Sequence, residues 1–526
     1  MDMQDPATLG SAEALYTRME AARGPVLKRA RAAAQLTIPT LLPPEGYQQG
    51  EALYSPHQSV GAEGVNNISS KLLLALMQPG SPFFRVAPTN AVAQELQDLP
   101  EDDPYRTEIE KSLSLYERMV MHDVEDKGDR TVIFEAIKHI VVAGNCLFFQ
   151  DKEGARIWHL DRFCVRRDPM GAVMDIVIKE EHSYDSLDDD VREMLPSSMN
   201  HGSNLDQSIA VYTHVSRKKN QWFEYQEVAG QRIPSTEAQY PLDRSPYIPM
   251  RLTRVSGQSY GEGYVGQYFG DLSSLESLSQ SLVEGSAAMA KILFLVKPNG
   301  TTNAKTLNNS PNGAIREGNA ADVTVVQSDK NADMREVGVH ADKLERRLAR
   351  VFLLDSVVQR DAERVTAEEI RRMSQMLEDS LGGVYSALTQ DFQLPYLHRR
   401  IALMQRSGEL PKLPKGMTRV TIVTGIEALG RGHDRNRLLN WVTTLGQVMP
   451  SVLETDINKR AFAERLAIAD GIDTEGLLIS QAEKQAVAAK QEQQAMMSSV
   501  MPEAAKAMGG MAQTAMANGQ LEIPQG

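Results

Sequence analysis

The chain has 526 residues, 42% apolar and 24% charged, with a formal net charge of −13. That length exceeds what one hydrophobic core supports and predicts two to four folded units of ordinary composition. The acidic balance argues against a protein that coats nucleic acid, which needs a basic footprint, yet it suits one past which DNA must slide.

In chain order, Ala12 to Ala34 places Leu15, Met19, Ala22 and Val26 at helical spacing, and Gly24-Pro25 is expected to kink or split this helix. Pro39, Pro43 and Pro44 end it. Further helices are expected over Gly64–Met77, Asp103–Asp126 and Thr131–Ala143. The period then shortens. Asn145–Gln150, Arg156–Leu160, Met174–Ile178, Ile209–Val215 and Trp222–Val228 are β-branched or aromatic runs between turn residues, a strand-rich section. The acidic stretch Ser186–Arg192 reads as a solvated helix or loop.

From Asp271 to Ala290, Leu275, Leu278, Leu282, Gly285 and Met289 alternate spacings of three and four, the seam of a packed helix. Ser273, Ser274, Ser277, Ser281 and Ser286 cover its other faces and would let neighbouring helices approach closely. Pro298–Gly338 is an Asn/Gly/Thr-rich excursion with one expected strand, Val323–Val326, and no core of its own. The returning helix, Ala341–Asp355, carries an apolar face of Leu344, Leu348, Val351 and Phe352. Lys343, Arg346, Arg347 and Arg350 follow at i, i+3, i+4 and i+7, a basic stripe about 130° round the helix. Arg360 and Arg364 lie in the turn beyond. Such a concentration of arginine on an acidic protein is what a phosphate-facing surface needs, and a solvated outer face is the plainer alternative.

Thr366 with Glu369 forms a capping box that opens a long helix. It runs toward Pro395 and resumes toward Arg406, with Gly382-Gly383 as a kink. Ile426–Leu445 and Ile457–Ala469 are expected helices, and the Gln/Ala/Met-rich tail beyond Gln481 is expected to be disordered. The class is α+β, mainly helical.

Catalytic motifs are scarce. Gly257-Gln258-Ser259-Tyr260-Gly261 matches G-x-S-x-G, which would make Ser259 a hydrolase nucleophile. Gly261-Glu262-Gly263-Tyr264-Val265-Gly266 matches G-x-G-x-x-G, but the acid about 20 residues on, Glu284, falls inside the following helix. Neither motif has a parallel βαβ series around it. The plainer reading is that dense glycine lets a strand turn tightly into a long helix. There is no Gly-Lys dipeptide for a phosphate-binding loop and no HExxH. Cys146 and Cys164 suggest neither a disulfide framework nor a metal pair. Apolar runs such as Leu72–Met77 and Ile292–Val296 fall far short of the roughly 20 residues that cross a bilayer, and MDMQDPATLG lacks the basic region of a secretory signal. No enzyme activity, cofactor, metal or membrane contact is expected, and the compartment is cytosol-like.

Longer stretches carry a family resemblance. LYTRMEAARGPVLKRARAAAQLTIPTLLP at 15–43, SVGAEGVNNISSKLLLALMQP at 59–79, FEAIKHIVVAGNCLFF at 134–149 and VYTHV at 211–215 begin it. YIPMRLTRVSGQSYGEGYVGQYFGDLSSLESL at 247–278 and SVVQRDAERVTAEEIRRMSQMLEDSLGGVYSALTQDFQLP at 356–395 are the most specific. TGIEALGRGHD at 424–434 and GIDTEGLL at 471–478 extend it. Over nearly its whole length the chain resembles the portal, or head-to-tail connector, proteins of short-tailed bacteriophages.

That resemblance implies a portal fold of wing, stem, clip and crown, assembling as a twelve-subunit ring at one capsid vertex. Residues 1–265 resemble the wing, 266–297 the first stem helix, 298–338 the clip and 339–355 the second stem helix. Residues 356–365 resemble a tunnel loop, 366–420 the long wing helix and its connection, 421–480 the crown, and 481–526 the tail. Lys343, Arg346, Arg347, Arg350, Gln359, Arg360 and Arg364 would face the DNA channel. Leu275, Leu278, Leu282, Leu344 and Leu348 would pack the stem. The implied partners are further copies of the chain, double-stranded DNA read without sequence preference, terminase large subunit, tail adaptor, scaffold, major capsid protein and internal core proteins. The implied place is the virion, after assembly in the host cytoplasm. Twelve copies at −13 each total −156, so such a ring would repel phosphate except at chosen levels.

Overall fold

The structure is a computed structural model. It describes residues 11–354 apart from 49, 79–81, 90, 91, 93, 95–103, 197–207, 290–292, 312 and 327–330, then 384–412, 418–422, 439, 441–447, 462, 463 and 466. By compactness the chain divides into residues 1–429 and 430–526. The second unit's longest described piece is the helical stretch 441–447, where Thr443 Oγ1 donates to the Leu439 carbonyl at 2.7 Å.

The first unit opens with α1, Ala12–Gln35, a single helix that runs through Pro25 without the expected split. Both of its halves are anchored. At the N-terminus Ser11 Oγ accepts from Ala14 N, and the buried Glu227 carboxylate accepts from Ala12 N at 2.7 Å, a charge placed to suit the helix dipole. In the middle Arg23, 1% exposed, donates to the carbonyls of Leu160, Asp161 and Phe163 and pairs with Glu20. Next come α2 (Val60–Leu76), β1 (Phe84–Pro88), α3 (Pro104–Asp126) and α4 (Asp129–Ala143). Ile133, Ala136, Ile137, Ile140 and Val141 of α4 are fully buried, so this helix forms the centre of the core.

The strand-rich section is present and larger than the sequence suggests. β2 (Asn145–Gln150), β3 (Ala155–Trp158), β4 (Phe163–Arg167) and β5 (Val173–Ser183) precede the short α5 (Asp189–Met194). β6 (Ser208–Lys218), β7 (Gln221–Val228), β8 (Gln231–Pro241) and β9 (Tyr247–Arg251) follow. Strands β4 to β8 pair in sequence order as a five-stranded antiparallel sheet, while β2 lies antiparallel between β3 and β9. The polar run of β8 hid it from a periodicity reading. As the last strand of its sheet it tolerates Pro234 and Pro241 where a central strand would not.

Then α6 (Tyr264–Gln267) leads into α7 (Phe269–Met289). β10 (Leu293–Val296), α8 (Ala304–Asn308), β11 (Val323–Val326) and α9 (Asn331–Val351) follow. The helix expected at Ala341–Asp355 therefore starts ten residues earlier, because Ala332, Met334, Arg335 and Glu336 favour helix and Gly338 is tolerated at a cost of about 1 kcal/mol. It stops at Val351, ahead of Leu353 in the left-handed region at φ 57°. Residues 293–296, placed with the first stem helix on sequence grounds, are a strand paired antiparallel with 323–326. From residue 384 come α10 (Val384–Leu388), a π-helical turn at Thr389–Gln393, α11 (Leu394–Ser407) and β12 (Thr418–Ile422), which pairs with β1. Pro395 has no N–H to continue the ladder, which explains the widened turn just before it. No helix among the described residues is long and apolar enough to cross a membrane.

Candidate functional site

α7 and α9 form an antiparallel hairpin. At one end Arg347 forms an ion pair with Asp271, and at the other Gly285 lies under Met334, whose side chain a Cβ at 285 would strike. Between these points run the seam residues. Leu275 and Leu348 are buried, whereas Leu278, Leu282 and Leu344 are half-buried against the same core. Burial fades along α7. Leu272, Leu275 and Glu276 are buried near its start, and Val283 is 59% exposed further on. The hairpin is thus rooted at one end and projects from the core at the other.

The root is fastened by Glu276. Its carboxylate accepts from Tyr54 Oη at 2.6 Å, from the backbone N–H of His57 at 2.9 Å and of Gln58 at 3.4 Å, and contacts His57 Nδ1 at 3.0 Å. Burial alone would raise its pKa, but these donors together hold it below the usual carboxylate range. Its neighbours give no local signal for this anchor, since the donors lie about 220 residues away.

The ribbon β10–β11 joins the two helices at their far end. The intervening loop is ordered by polar contacts. Asp322 accepts from Thr301 N at 2.8 Å and Thr301 Oγ1 at 3.1 Å, and Thr302 Oγ1 accepts from Asn319 N at 2.9 Å. Among the described residues of 298–338 only Asp322 is buried, so the segment has no core.

The basic stripe divides in two. Arg347, nearest the apolar seam, is engaged by Asp271. Lys343, Arg346 and Arg350 are exposed and have no acidic partner among the described residues. Gln359, Arg360 and Arg364 lie outside the described residues, as do the capping box at Thr366 and Gly382-Gly383. An open groove of about 640 Å³ follows the hairpin, and its lining mixes the acids Asp333 and Glu336 with His340, Lys343 and Arg347 over the apolar Leu278, Val337 and Leu344.

The glycine-rich motifs resolve into backbone packing. Gly261 and Gly263 sit where a Cβ would collide with the carbonyls of Thr253 and Val142. Ser259 Oγ accepts from the backbone N–H of Arg167 at 3.2 Å, and no histidine among the described residues bonds to it. The preceding strand, β9, belongs to an antiparallel sheet, whereas a nucleophile elbow or a dinucleotide loop tops a parallel one. Beside this loop Arg167, Arg251 and Arg254 gather round Asp391 on the π turn, with Arg254 Nε 3.1 Å from its carboxylate. Burial first, then the neighbouring Arg251, brings Arg167 down to about 10.

Residues 9–478 match the family described as bacteriophage head to tail connecting protein. The chain is 36% identical to the portal protein of Escherichia phage T7, over 92% of this chain and 91% of that one. It is 37% identical to the portal protein of Enterobacteria phage T3, over 98% and 96% respectively. Among solved structures, a chain from the virion of a native gene transfer agent particle matches with a TM-score of 0.30 and 11% identity, over 72% of this chain and 84% of that one. The chain belongs to the bacteriophage head-to-tail connecting, or portal, family and serves as a portal protein.

Proposed function

We propose that the chain assembles in twelve copies into a ring whose bore passes double-stranded DNA during packaging and ejection. In this reading α7 and α9 are the stem, the β10–β11 ribbon with its loop is the clip, and residues 1–265 with 366–420 are the wing. Residues 356–365 are the channel loop, and 421–480 are the crown. The clip docks terminase large subunit and later the tail adaptor. Scaffold, major capsid protein and internal core proteins meet the outer and inner faces. The ring is assembled in the host cytoplasm and remains in the virion.

The observation that carries this reading is the unpaired basic group on an acidic chain. Lys343, Arg346 and Arg350 expose three cations without neutralising partners among the described residues, on a chain of net charge −13. Repeated round a ring they make stacked circles of positive charge. Phosphates carry no base information, so each contact is exchangeable and allows sliding. Ring formation is supported by what one subunit leaves uncovered. Val283 and Val339 are 59% and 42% exposed on the hairpin, and Ser274, Ser277 and Ser281 are exposed on another face of α7. A head-to-tail interface covering such faces closes into a ring when its rotation permits.

The test is the double substitution Arg360→Ala with Arg364→Ala. Rings assemble as in the unaltered protein, and the yield of packaged or retained genome falls. Normal genome yield in that variant overturns the channel assignment.

A further inference from the structure

Three arginines crowd one carboxylate beside the glycine-rich turn. Arg167 ends β4, Arg251 ends β9, and Arg254 lies in the loop just beyond. Among the described residues Asp391, on the π-helical turn, is the one carboxylate paired with any of them. Arg254 holds it closely, with Nε at 3.1 Å. Arg167 is engaged by backbone, donating to the carbonyls of Ser259 at 3.1 Å, Gly171 at 3.1 Å and Pro249 at 2.9 Å. Those acceptors satisfy its hydrogens but cancel no charge.

Arg251 is left short of partners. Its side chain is 5% exposed, yet its Nε has no hydrogen-bond partner among the described residues. Its Nη1 reaches the Gln258 carbonyl only at 3.4 Å, and its Nη2 stands 4.0 Å from Asp391. It adjoins Arg167 at Gly171, whose carbonyl accepts from Arg167 Nη1 and where a Cβ would lie 3.5 Å from Arg251 Nη2. A guanidinium buried without a close counter-charge is costly. Burial, and Arg254 after it, lowers the Arg251 pKa against the pull of Asp391. Three guanidinium charges facing one carboxylate leave two in excess, on a chain whose net charge is −13.

We propose that this cluster binds a phosphoryl oxyanion, held by Arg251 and Arg254 with Arg167 behind them. Such an ion carries roughly one to two negative charges near neutral pH, which matches the excess. Guanidinium forks suit its oxygens, because they bind phosphate through paired N–H donors. Access is narrow, since Arg254 is 44% exposed while Asp391 is 19% exposed and Arg251 almost closed off. That favours the free ion over a phosphate on a DNA duplex, which meets protein across a broad face. The bound ion would join the loop after β9 to the π turn ahead of α11, segments that Arg254 and Asp391 already link across 137 residues of sequence.

Inorganic phosphate is the probe, titrated calorimetrically into the full-length protein at constant ionic strength, with chloride as the control. Saturable binding of one phosphate per chain is expected. Arg254→Gln should weaken it about tenfold to a hundredfold, the loss of one charge-assisted contact. Asp391→Asn should do the reverse and tighten it about tenfold, because the competing carboxylate has gone. If the arginines serve only to pair with Asp391, both substitutions break that pair and neither moves phosphate binding, which overturns the proposal. Absence of binding in both the native protein and Asp391→Asn overturns it as well. Saturable binding left unchanged by Arg254→Gln means an adventitious ion only, with the same consequence. If Asp391→Asn fails to fold, Arg254→Gln, at the exposed edge, decides alone. A short DNA duplex at the same phosphate concentration should leave the isotherm unchanged. Displacement of phosphate by the duplex overturns the free ion as ligand and assigns the contact to a DNA backbone.

Discussion

Arg347 reaches across the hairpin to Asp271, so one of four basic residues at the spacing of a phosphate-facing stripe is committed to holding two helices together. Its side chain is 57% exposed and that of Asp271 30%, so the pair contributes no more than about 1 kcal/mol to stability. Arg347→Ala should leave the midpoint of thermal unfolding nearly unchanged. It should also reduce packaged genome less than Arg346→Ala combined with Arg350→Ala, because those two cations have no acidic partner among the described residues. Genome yield measured side by side for the two variants checks this. A larger loss with Arg347→Ala would reverse the roles assigned within the stripe.

Glu276 is the opposite case, a carboxylate buried at the hairpin root with four donors around it. Glu276→Gln keeps the shape, removes the charge and turns a donor toward Tyr54 or His57. A cost of about 1–3 kcal/mol is expected in denaturant unfolding. Because its folded pKa lies below the unfolded value, its stabilising effect is present above the ordinary carboxylate range, about pH 4.3. That effect is lost as pH falls through the folded value. The difference between the native protein and Glu276→Gln should therefore narrow below pH 4, and a constant difference would contradict the assignment.

His139 supplies a second pH dependence at higher pH. Its ring is buried 6.3 Å from His159, its Nδ1 has no hydrogen-bond partner among the described residues, and burial, with a lesser push from His159, lowers it to about 4. A histidine held neutral in the fold is protonated first in the unfolded chain. Stability should therefore decline as pH drops from about 6.5 to about 4, by up to about 3 kcal/mol. His139→Leu should flatten this part of the pH profile in chemical denaturation.

Arg400 and Asp129 form an ion pair in the core, with neither side chain more than 1% exposed. Tyr396 Oη donates to the same carboxylate at 2.6 Å, and Arg400 Nε lies 3.3 Å from Asp123. Asp129→Ala takes the closer of two carboxylates from a buried guanidinium and should cost about 3–5 kcal/mol, seen as a large fall in midpoint or as insoluble protein. A loss below about 1 kcal/mol would mean that the network relaxes around the gap.

Periodicity makes the hairpin legible in the sequence. The three-and-four spacing of Leu275, Leu278 and Leu282 marked the seam, and Leu348 and Phe352 marked its partner face. The same reasoning found five strands from their β-branched and aromatic runs. It missed β1 and β12, which pair across more than 300 residues and carry no alternating pattern long enough to notice. The anchors were hidden for a related reason. Arg23 bonds to carbonyls about 140 residues away, Glu276 to a loop about 220 residues back, and Gly64 owes its place to Phe352. Contacts at such separations leave no local period. The glycine-rich turn is the opposite case, a local pattern with more than one meaning, for which the plainer reading was a tight strand-to-helix turn. Its spacing copies two enzyme motifs, yet its glycines answer to the close approach of Thr253 and Val142 backbone.

The central claim is a ring, and native mass spectrometry of the purified full-length protein tests it most directly. Twelve chains of 58.2 kDa give a closed assembly of about 700 kDa, and images of the same sample should show rotational symmetry about a central hole. A monodisperse 58.2 kDa species at every concentration, with no symmetric particles, would contradict the account.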